Sequence, residues 1–237
     1  MKLMMTLVGD PLLSVDIDPI SAYLAQQRVN VLGSERLLDE GATISEDDES
    51  PAVVVRDVSA LRAIWTVDLP SRAAAVDLAR NAPGGEGTLE VRESFTPQDF
   101  GAPPDPNPPV APPPPVRKPG THRYIALLRA HHESDEVPTA ESIAPMDAYC
   151  EPLVAANTMI GGQGLKPSAK GARIRRSAAQ RFVLDGPFAE SKELVGGYMV
   201  VQVATLDEAI DTIRPWLRIH REVRRVARAA IEVRRLA

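Results

Sequence analysis

The sequence predicts an α+β protein made of two similar units, each with the element order β-α-β-β-α-β, joined by a linker. Three observations support this class. Apolar runs of strand length and segments of helical periodicity follow one another in the same order in both halves. Eleven of the 22 prolines lie between residues 97 and 119 and separate the halves. The strings TLEVR at 88–92 and AIEVR at 230–234 match near the ends of the two units.

The first unit, residues 1–96, contains four predicted strands and two predicted helices. The strands are the apolar or β-branched runs at 3–8, 52–56, 61–67 and 88–92. The helices are predicted from 19 to about 38 and over 71–81. Asp18 suits the N-cap of the first helix, Pro19 suits its first turn, and Gly41 suits its end. This order of elements is ferredoxin-like.

The second unit, residues 121–237, has the same order, with extra material around residues 168–195. Its strands are predicted at 124–129, 172–176, 181–184, 198–203 and 230–234. Its helices are predicted over 139–156, with Thr139 and Ser142 as candidate caps, and over 206–225. The glycines at 161, 162 and 164 are predicted to mark a turn. The chain's four histidines all lie in this unit or directly before its first strand.

The linker, residues 97–120, contains the proline-rich segment 103–119. Such a composition favours extended polyproline II and a semi-rigid spacer. A proline-rich ligand for another domain is the alternative, but a tether explains why the segment lies between two similar units.

Composition and charge restrict the function classes. With 237 residues, 44% hydrophobic and 25% charged, the chain is typical of one or two globular domains. The net charge of −5 divides into −8 over residues 1–96 and +3 over residues 121–237, which does not favour nonspecific nucleic-acid binding. No apolar run approaches 18 residues, so no membrane span is expected. The single cysteine, Cys150, permits no intrachain disulfide, and we expect a reducing, cytoplasmic location.

The most distinctive string is LDGPFAESKELVGGY at residues 184–198. Together with GGQGLKP at 161–167 and IEVR at 231–234, it resembles the YCII-related family, in particular its DGPF-type branch. The resemblance covers residues 122–237. It implies ferredoxin-like units paired through their sheets, as in the dimeric α/β-barrel superfamily. Because this chain has two units, we expect an intramolecular pseudo-dimer whose first unit is degenerate, and a further homodimer is compatible with it.

Asp185 and the pair His131 and His132 are the candidate catalytic residues. Asp185 precedes Gly-Pro and therefore lies at a tight turn, where its carboxylate either caps backbone amides or acts as a general acid or base. The resemblance implies a His–Asp pair in the cleft between sheet and helices. His131 and His132 directly follow the first strand of the second unit, so one of them is the candidate partner, and a solvated loop is the alternative. Adjacent histidines point in different directions and no spaced third ligand follows, so no metal site is predicted.

Four further residues are candidates for substrate binding. Glu190 and Lys192 accompany the family string, with a solvated loop as the alternative. Tyr149 and Tyr198 are candidates for the pocket lining or, with a bonded hydroxyl, for the core. Cys150 lies on a predicted helix among apolar residues and is interpreted as a core residue, because no activating partner is evident.

Arginines crowd the last predicted helix. Four of them share one stripe by their spacing of three and four: Arg214, Arg218, Arg221 and Arg225. Nucleic-acid recognition of this kind usually interleaves aromatic residues, which are absent from the stripe. We therefore expect the stripe to face the acidic first unit or solvent.

Taken together, these features favour an enzyme that needs no cofactor and acts on a small organic substrate by proton transfer. The reaction class would be isomerase or lyase, such as a cyclase or dehydratase, in a tailoring step of secondary metabolism. No P-loop, dinucleotide fingerprint or metal cluster is evident in the sequence. The alternative is a non-catalytic protein that binds or senses a small molecule. Neither reading involves a nucleic acid or a membrane.

Overall fold

The structure, a computed structural model, describes residues 1–9, 17–47, 52–84, 86–103, 107, 115–130, 139–177, 180–186 and 194–237. Over these residues the chain is an α+β fold with four α-helices and an eleven-stranded antiparallel sheet. No helix in this part of the chain is both long and apolar enough to cross a membrane.

The first half contains two α-helices and five strands. The strands are β1 (Lys2–Val8), β2 (Asn30–Asp47), β3 (Val53–Val55), β4 (Leu61–Asp68) and β5 (Gly87–Glu93). The helices are α1 (Asp18–Gln26) and α2 (Arg72–Asn81), and a short 3-10 helix follows at Pro97–Phe100.

The second half contains two α-helices and six strands. The strands are β6 (His122–Ala130), β7 (Met159–Gly164), β8 (Ala172–Arg176), β9 (Arg181–Asp185), β10 (Leu194–Val203) and β11 (Arg228–Leu236). The helices are α3 (Ala140–Ala155) and α4 (Leu206–Arg224), with a short 3-10 helix at Ser168–Lys170.

The strands form one path in the order β7-β10-β6-β11-β2-β4-β1-β5-β8-β9, with β3 paired to β2. The long strand β2 joins the halves, because its first part pairs with β4 and its second part with β11. The segment β7–β8 joins them again, since β7 pairs with β10 and β8 pairs with β5. Leu165, which directly follows β7 in the chain, forms a β-bridge with Ser94 at the end of β5. The sheet therefore curves until the end of β7 lies beside the end of β5, while β9 stays at the other end of the strand order.

Three apolar cores fill this architecture. One lies between α1, α2 and the first half of the sheet, around Trp65. A second lies between α3, α4 and the second half, around Ile213 and Leu217. The third lies within the curved sheet and takes residues from both halves, including Met4, Ile64, Ile125 and Leu127. The two halves thus share one core.

The predicted cap at Thr139 is confirmed, and two further helices are capped in the same way, whereas the predicted cap at Asp18 is wrong because Asp18 already lies in the first turn of α1. The side chains of Ser71, Thr139 and Thr205 each accept a hydrogen bond from the backbone N–H three residues later. These bonds satisfy backbone donors that have no partner within the helix. The first turn of α4 also carries Asp207 and Glu208, which suit the positive end of the helix dipole.

The predicted first helix is too long. It ends at Gln26, and residues 30–47 form β2 instead. Gly41 is therefore no helix stop. A Cβ placed there would lie 2.4 Å from the carbonyl oxygen of Val233, so glycine permits the close approach of β2 and β11.

The predicted turn at 161–164 is also wrong, because these residues lie in β7. A Cβ at Gly162 would lie 3.1 Å from the Tyr198 carbonyl oxygen of β10, and one at Gly197 would lie 2.9 Å from the Gln163 carbonyl oxygen. The glycines therefore serve close packing of two strands rather than a chain reversal.

Most of the predicted polyproline spacer, 104–106 and 108–114, lies outside the described residues. Its end packs on the second half. Gln202 of β10 donates to the Val116 carbonyl oxygen at 3.0 Å and accepts from the Lys118 backbone N–H at 3.2 Å.

The arginine stripe of α4 faces the first half at two positions, which confirms that prediction. The guanidinium groups of Arg218 and Arg221 lie 3.8 Å and 2.8 Å from the Glu46 carboxylate of β2. Arg56 of the first half in turn pairs with Asp207 at the start of α4. Opposite charges thus meet where the acidic and basic halves join.

Each half ends in a strand that carries a buried Glu–x–Arg pair. In β5, Arg92 contacts Glu90 at 3.2 Å and donates through Nε to the Lys166 carbonyl oxygen. In β11, Arg234 contacts Glu232 at 3.1 Å and donates through Nε to the Leu38 carbonyl oxygen.

Candidate functional site

A cavity of about 860 Å³ lies in the second half, between α3, α4 and the sheet. Its lining is mostly apolar, with a few polar side chains. Such a composition is typical of pockets for small organic ligands, in which a small number of polar groups fix the orientation of the ligand.

Two helical stripes form the walls of the cavity. From α3 come Ile143, Met146, Asp147 and Cys150, and from α4 come Trp216, Ile219, His220 and Val223. Both sets follow the spacing i, i+3, i+4, i+7, which places side chains on one face of a helix. In each stripe the third position is ionisable, so a carboxylate and an imidazole line the same apolar space.

The sheet forms the floor. Leu128, Met159 and Met199 supply apolar surface, while Gly162 and Gly197 leave the backbone exposed to the cavity. The glycine-rich string of β7 therefore contributes space as well as close strand packing.

The end of the first half supplies a further wall. Phe95, Thr96, Pro97, Phe100 and Ala102 line the cavity, and the rings of Phe95 and Phe100 have centroids 5.6 Å apart. This wall segment, residues 95–102, is held in place by bonds within itself and by bonds to the second half. Within the segment, the backbone N–H and the hydroxyl of Thr96 both donate to the Asp99 carboxylate. Two residues of the second half also hold it: Lys166 Nζ lies 2.8 Å from Asp99 Oδ1, and Gln163 Nε2 donates to the Phe95 carbonyl oxygen at 2.5 Å.

The Cys150 thiol in this cavity is not activated. Burial raises its pKa, and the neighbouring charge of Asp147 raises it further, to about 11. The thiol is therefore protonated at neutral pH, whereas nucleophilic cysteines act as thiolates.

Four of the predicted site residues lie outside the described residues: His131, His132, Glu190 and Lys192. Their predicted roles stay predictions.

Asp185 lies at the end of β9 and is not among the residues that line the cavity. Its carboxylate accepts a hydrogen bond from Arg72 of α2, and its side chain is 72% exposed. The same guanidinium donates to the Gly171 carbonyl oxygen at 2.7 Å. In this position Asp185 ties the β8–β9 hairpin to the first half, and its predicted catalytic role gains no support from the geometry.

The two predicted tyrosines occupy different places. Tyr149 donates its hydroxyl to the Thr212 carbonyl oxygen at 2.6 Å, which links α3 to α4, and it does not line the cavity. Burial raises its pKa. Tyr198 does line the cavity, and its hydroxyl lies 3.2 Å from Thr66 Oγ1 of the first half. Burial raises the Tyr198 pKa as well, so both hydroxyls are neutral at physiological pH.

Asp147 and His220 were missed by the sequence prediction. The signal that identifies them is helical spacing. Each occupies the i+4 position of an apolar stripe, with Ile143 and Trp216 at the respective i positions.

A buried tryptophan of the first half holds the position that corresponds to Met199. Trp65 of β4 pairs with Met5 of β1, as Met199 of β10 pairs with Ala126 of β6, so Trp65 and Met199 hold equivalent positions. Trp65 is completely buried and donates through Nε1 to Ser21 Oγ of α1 at 3.1 Å. The ring packs in the apolar core between the sheet and the two helices of the first half.

Comparison with known proteins identifies a domain in the second half. Residues 123–226 match the model of the YCII-related domain. An uncharacterized protein of Rhizobium meliloti (strain 1021) is 46% identical over 50 residues, which make up 21% of this chain. The chain spans 40% of the length of that relative. The predicted YCII resemblance is confirmed for residues 123–226, which contain α3, all of α4 and the cavity floor.

Proposed function

We propose that the YCII-related domain binds a small, largely apolar organic molecule in this cavity and catalyses proton transfer on it without a cofactor. The observation that carries the proposal is that Asp147 of α3 and His220 of α4 line the same largely apolar cavity. Imidazole exchanges protons near neutral pH, and a positioned carboxylate assists it as a second acid or base.

The chemistry that fits is an isomerisation or an elimination. His220 accepts a proton from a carbon acid and leaves an enolate. Return of the proton to another atom completes an isomerisation, and departure of a leaving group completes an elimination. Asp147 is exposed and His220 is partly buried, so the apolar walls shield the reacting atoms from water only in part. His131 and His132 remain candidates for the same proton transfer.

We further infer that the two halves are copies of one unit that pair as two chains do in dimeric α/β barrels. The string DGPF at 185–188 supports the DGPF-type branch for the second copy. The buried pairs support duplication, because Glu90 and Arg92 repeat as Glu232 and Arg234 in the equivalent last strand.

Two glycines support the same inference. A Cβ at Gly41 would meet the Val233 carbonyl oxygen and the Arg234 side chain, and one at Gly171 would meet those of Val91 and Arg92. The same close approach of a glycine to the last strand of a half thus occurs twice, at β11 and at β5. The first copy then keeps its structural contacts while Trp65 fills its site.

Deuterium exchange tests the proposed chemistry. Carbon acids such as phenylpyruvate and simple 1,3-diketones are incubated with the protein in D₂O, and incorporation at the acidic carbon is followed by NMR. We expect His220→Gln to slow the protein-dependent exchange by about 10²-fold or more and Asp147→Asn to slow it less, as for loss of general bases. Lys170→Gln, at an exposed position away from the cavity lining, is the matched control and should exchange at the wild-type rate.

The second candidate function is binding without catalysis. It is favoured by one observation, the exposed position of Asp185 away from the cavity. This function is the better one if the protein binds an apolar probe but catalyses no deuterium exchange on any carbon acid tested.

Filling the cavity tests whether it is the binding site. Met199→Trp places in the second half the residue that fills the first half, and we expect the affinity for the neutral fluorophore N-phenylnaphthylamine to fall about tenfold or more. The control is Val116→Trp, which adds a tryptophan at a position that is 76% exposed. Fluorescence titration measures both. Equal affinity in wild type and Met199→Trp would place the probe elsewhere.

A further inference from the structure

Strand β9 is the end of the sheet and presents an apolar surface to solvent. All five of its residues are exposed, with Phe182 at 56%, Val183 at 36% and Leu184 at 41%. Within the described part of the chain, β9 pairs with β8 alone. An exposed edge strand of this kind is a template for pairing with another strand.

The hydrogen bonds of the β8–β9 hairpin show which backbone groups point outward. Ser177 donates to the Gln180 carbonyl oxygen at 2.9 Å, and Gly186 donates to the Gly171 carbonyl oxygen at 3.2 Å. Residues 180 and 186 therefore point their backbone groups toward β8. Because these groups alternate along an antiparallel strand, residues 182 and 184 do the same, and residues 181, 183 and 185 direct theirs away from β8.

The sequence of β9, RFVLD, is complementary to itself in antiparallel orientation. A two-fold axis at Val183 sets Arg181 opposite Asp185 of a second strand, and Phe182 opposite Leu184. The three residues with outward backbone groups, Arg181, Val183 and Asp185, are the ones that this register hydrogen-bonds. Opposite charges and large apolar side chains are both favourable as cross-strand pairs.

We propose that two copies of this chain form a symmetric dimer through antiparallel pairing of β9 with β9. Each copy adds a strand to the edge of the other, and each side of the axis carries one Arg181–Asp185 pair. Arg181 donates to the Arg80 carbonyl oxygen, and Asp185 accepts from Arg72, so α2 holds both side chains beside the axis. Asp185 nevertheless keeps an exposed side chain that a second guanidinium can reach.

Strand β3, another edge of the sheet, lacks this complementarity. Strand β3 also exposes three valines, but a two-fold axis at Val54 would set Ala52 opposite Arg56. It has no opposite charges to pair and is only three residues long. It therefore provides a matched control for the test.

Sedimentation velocity over a concentration series tests the proposal. We expect the mass of the wild type to approach twice the 25.6 kDa of one chain as its concentration rises. Arg181→Glu and Asp185→Arg each place like charges opposite one another, and each should weaken the dimer about tenfold or more. The double variant restores opposite charges and should restore the dimer.

Lysine substitutions at the central valine of β9 and of β3 distinguish a dimer that pairs through β9 from association through any exposed apolar surface. Val183→Lys should dissociate the dimer, and Val54→Lys should leave it intact, with circular dichroism confirming the fold of every variant. A wild type that stays monomeric throughout the series would overturn the proposal, as would a dimer that Val183→Lys leaves intact. A double charge variant as weak as the single ones would also overturn it.

Discussion

Replacing Glu232 with alanine is expected to lower the free energy of unfolding by about 3–5 kcal/mol. The Glu232 carboxylate is almost completely buried in β11 and contacts the guanidinium groups of Arg129 and Arg234. It also accepts hydrogen bonds from the backbone N–H and hydroxyl of Ser59, in the first half. Without the carboxylate, two buried positive charges lose the negative group that both share.

Urea denaturation measures this effect, and an exposed pair provides the control. Glu40 lies 2.7 Å from Arg235, and both side chains are partly or largely in solvent. Glu40→Ala should change the free energy of unfolding far less than Glu232→Ala does, because water screens an exposed pair. If Glu232→Ala costs no more than this control, the buried network does not hold the halves together.

The same carboxylate makes stability depend on pH. Burial opposes its ionisation, but the charges of Arg129 and Arg234 outweigh burial and hold the Glu232 pKa below its ordinary value. A group whose pKa is lower in the folded state stabilises the fold above its unfolded pKa. This contribution is lost as the pH falls below about 4. Denaturation of Glu232→Gln should therefore show a smaller loss of stability over that range than the wild type.

The sequence predicts the elements whose signals are local. The cap at Thr139 requires only a neighbouring backbone donor, and the strands at 172–176 and 181–184 are short β-rich runs bounded by turn residues. The first helix is overpredicted because Val31 and Leu38 fit helical spacing, while the strand that contains them pairs with β4 and β11 far along the chain. Such long-range pairing overrides a local pattern.

The candidate site is harder to predict because it is assembled from distant segments. Asp147 and His220 lie on helices that follow different strands, and each resembles a solvated charge when its helix is considered alone. Phe95 and Phe100 belong to a segment that the sequence assigns to the end of one unit and the start of the linker. Only the pairing of both halves around one sheet brings these four side chains to a single cavity.

Removing the Trp65 ring should open in the first half the cavity that the second half contains. Trp65→Ala is expected to cost about 3–5 kcal/mol of unfolding free energy, because the ring is completely buried and its removal leaves a void. Trp65→Phe keeps most of the volume and loses the hydrogen bond to Ser21, so a smaller cost of about 1 kcal/mol is expected. Urea denaturation compares the two.

Exchange of the two equivalent residues extends this prediction from stability to binding. Trp65→Met gives the first half the side chain that borders the cavity of the second, and a dry apolar void of this kind accepts apolar ligands. We expect N-phenylnaphthylamine to bind this variant at two sites, and to bind the double variant Trp65→Met/Met199→Trp at one site, in the first half. Fluorescence titration gives the number of sites. A single unchanged site in Trp65→Met would mean that α1 and α2 collapse onto the sheet, so that the tryptophan is not what separates a filled half from an open one.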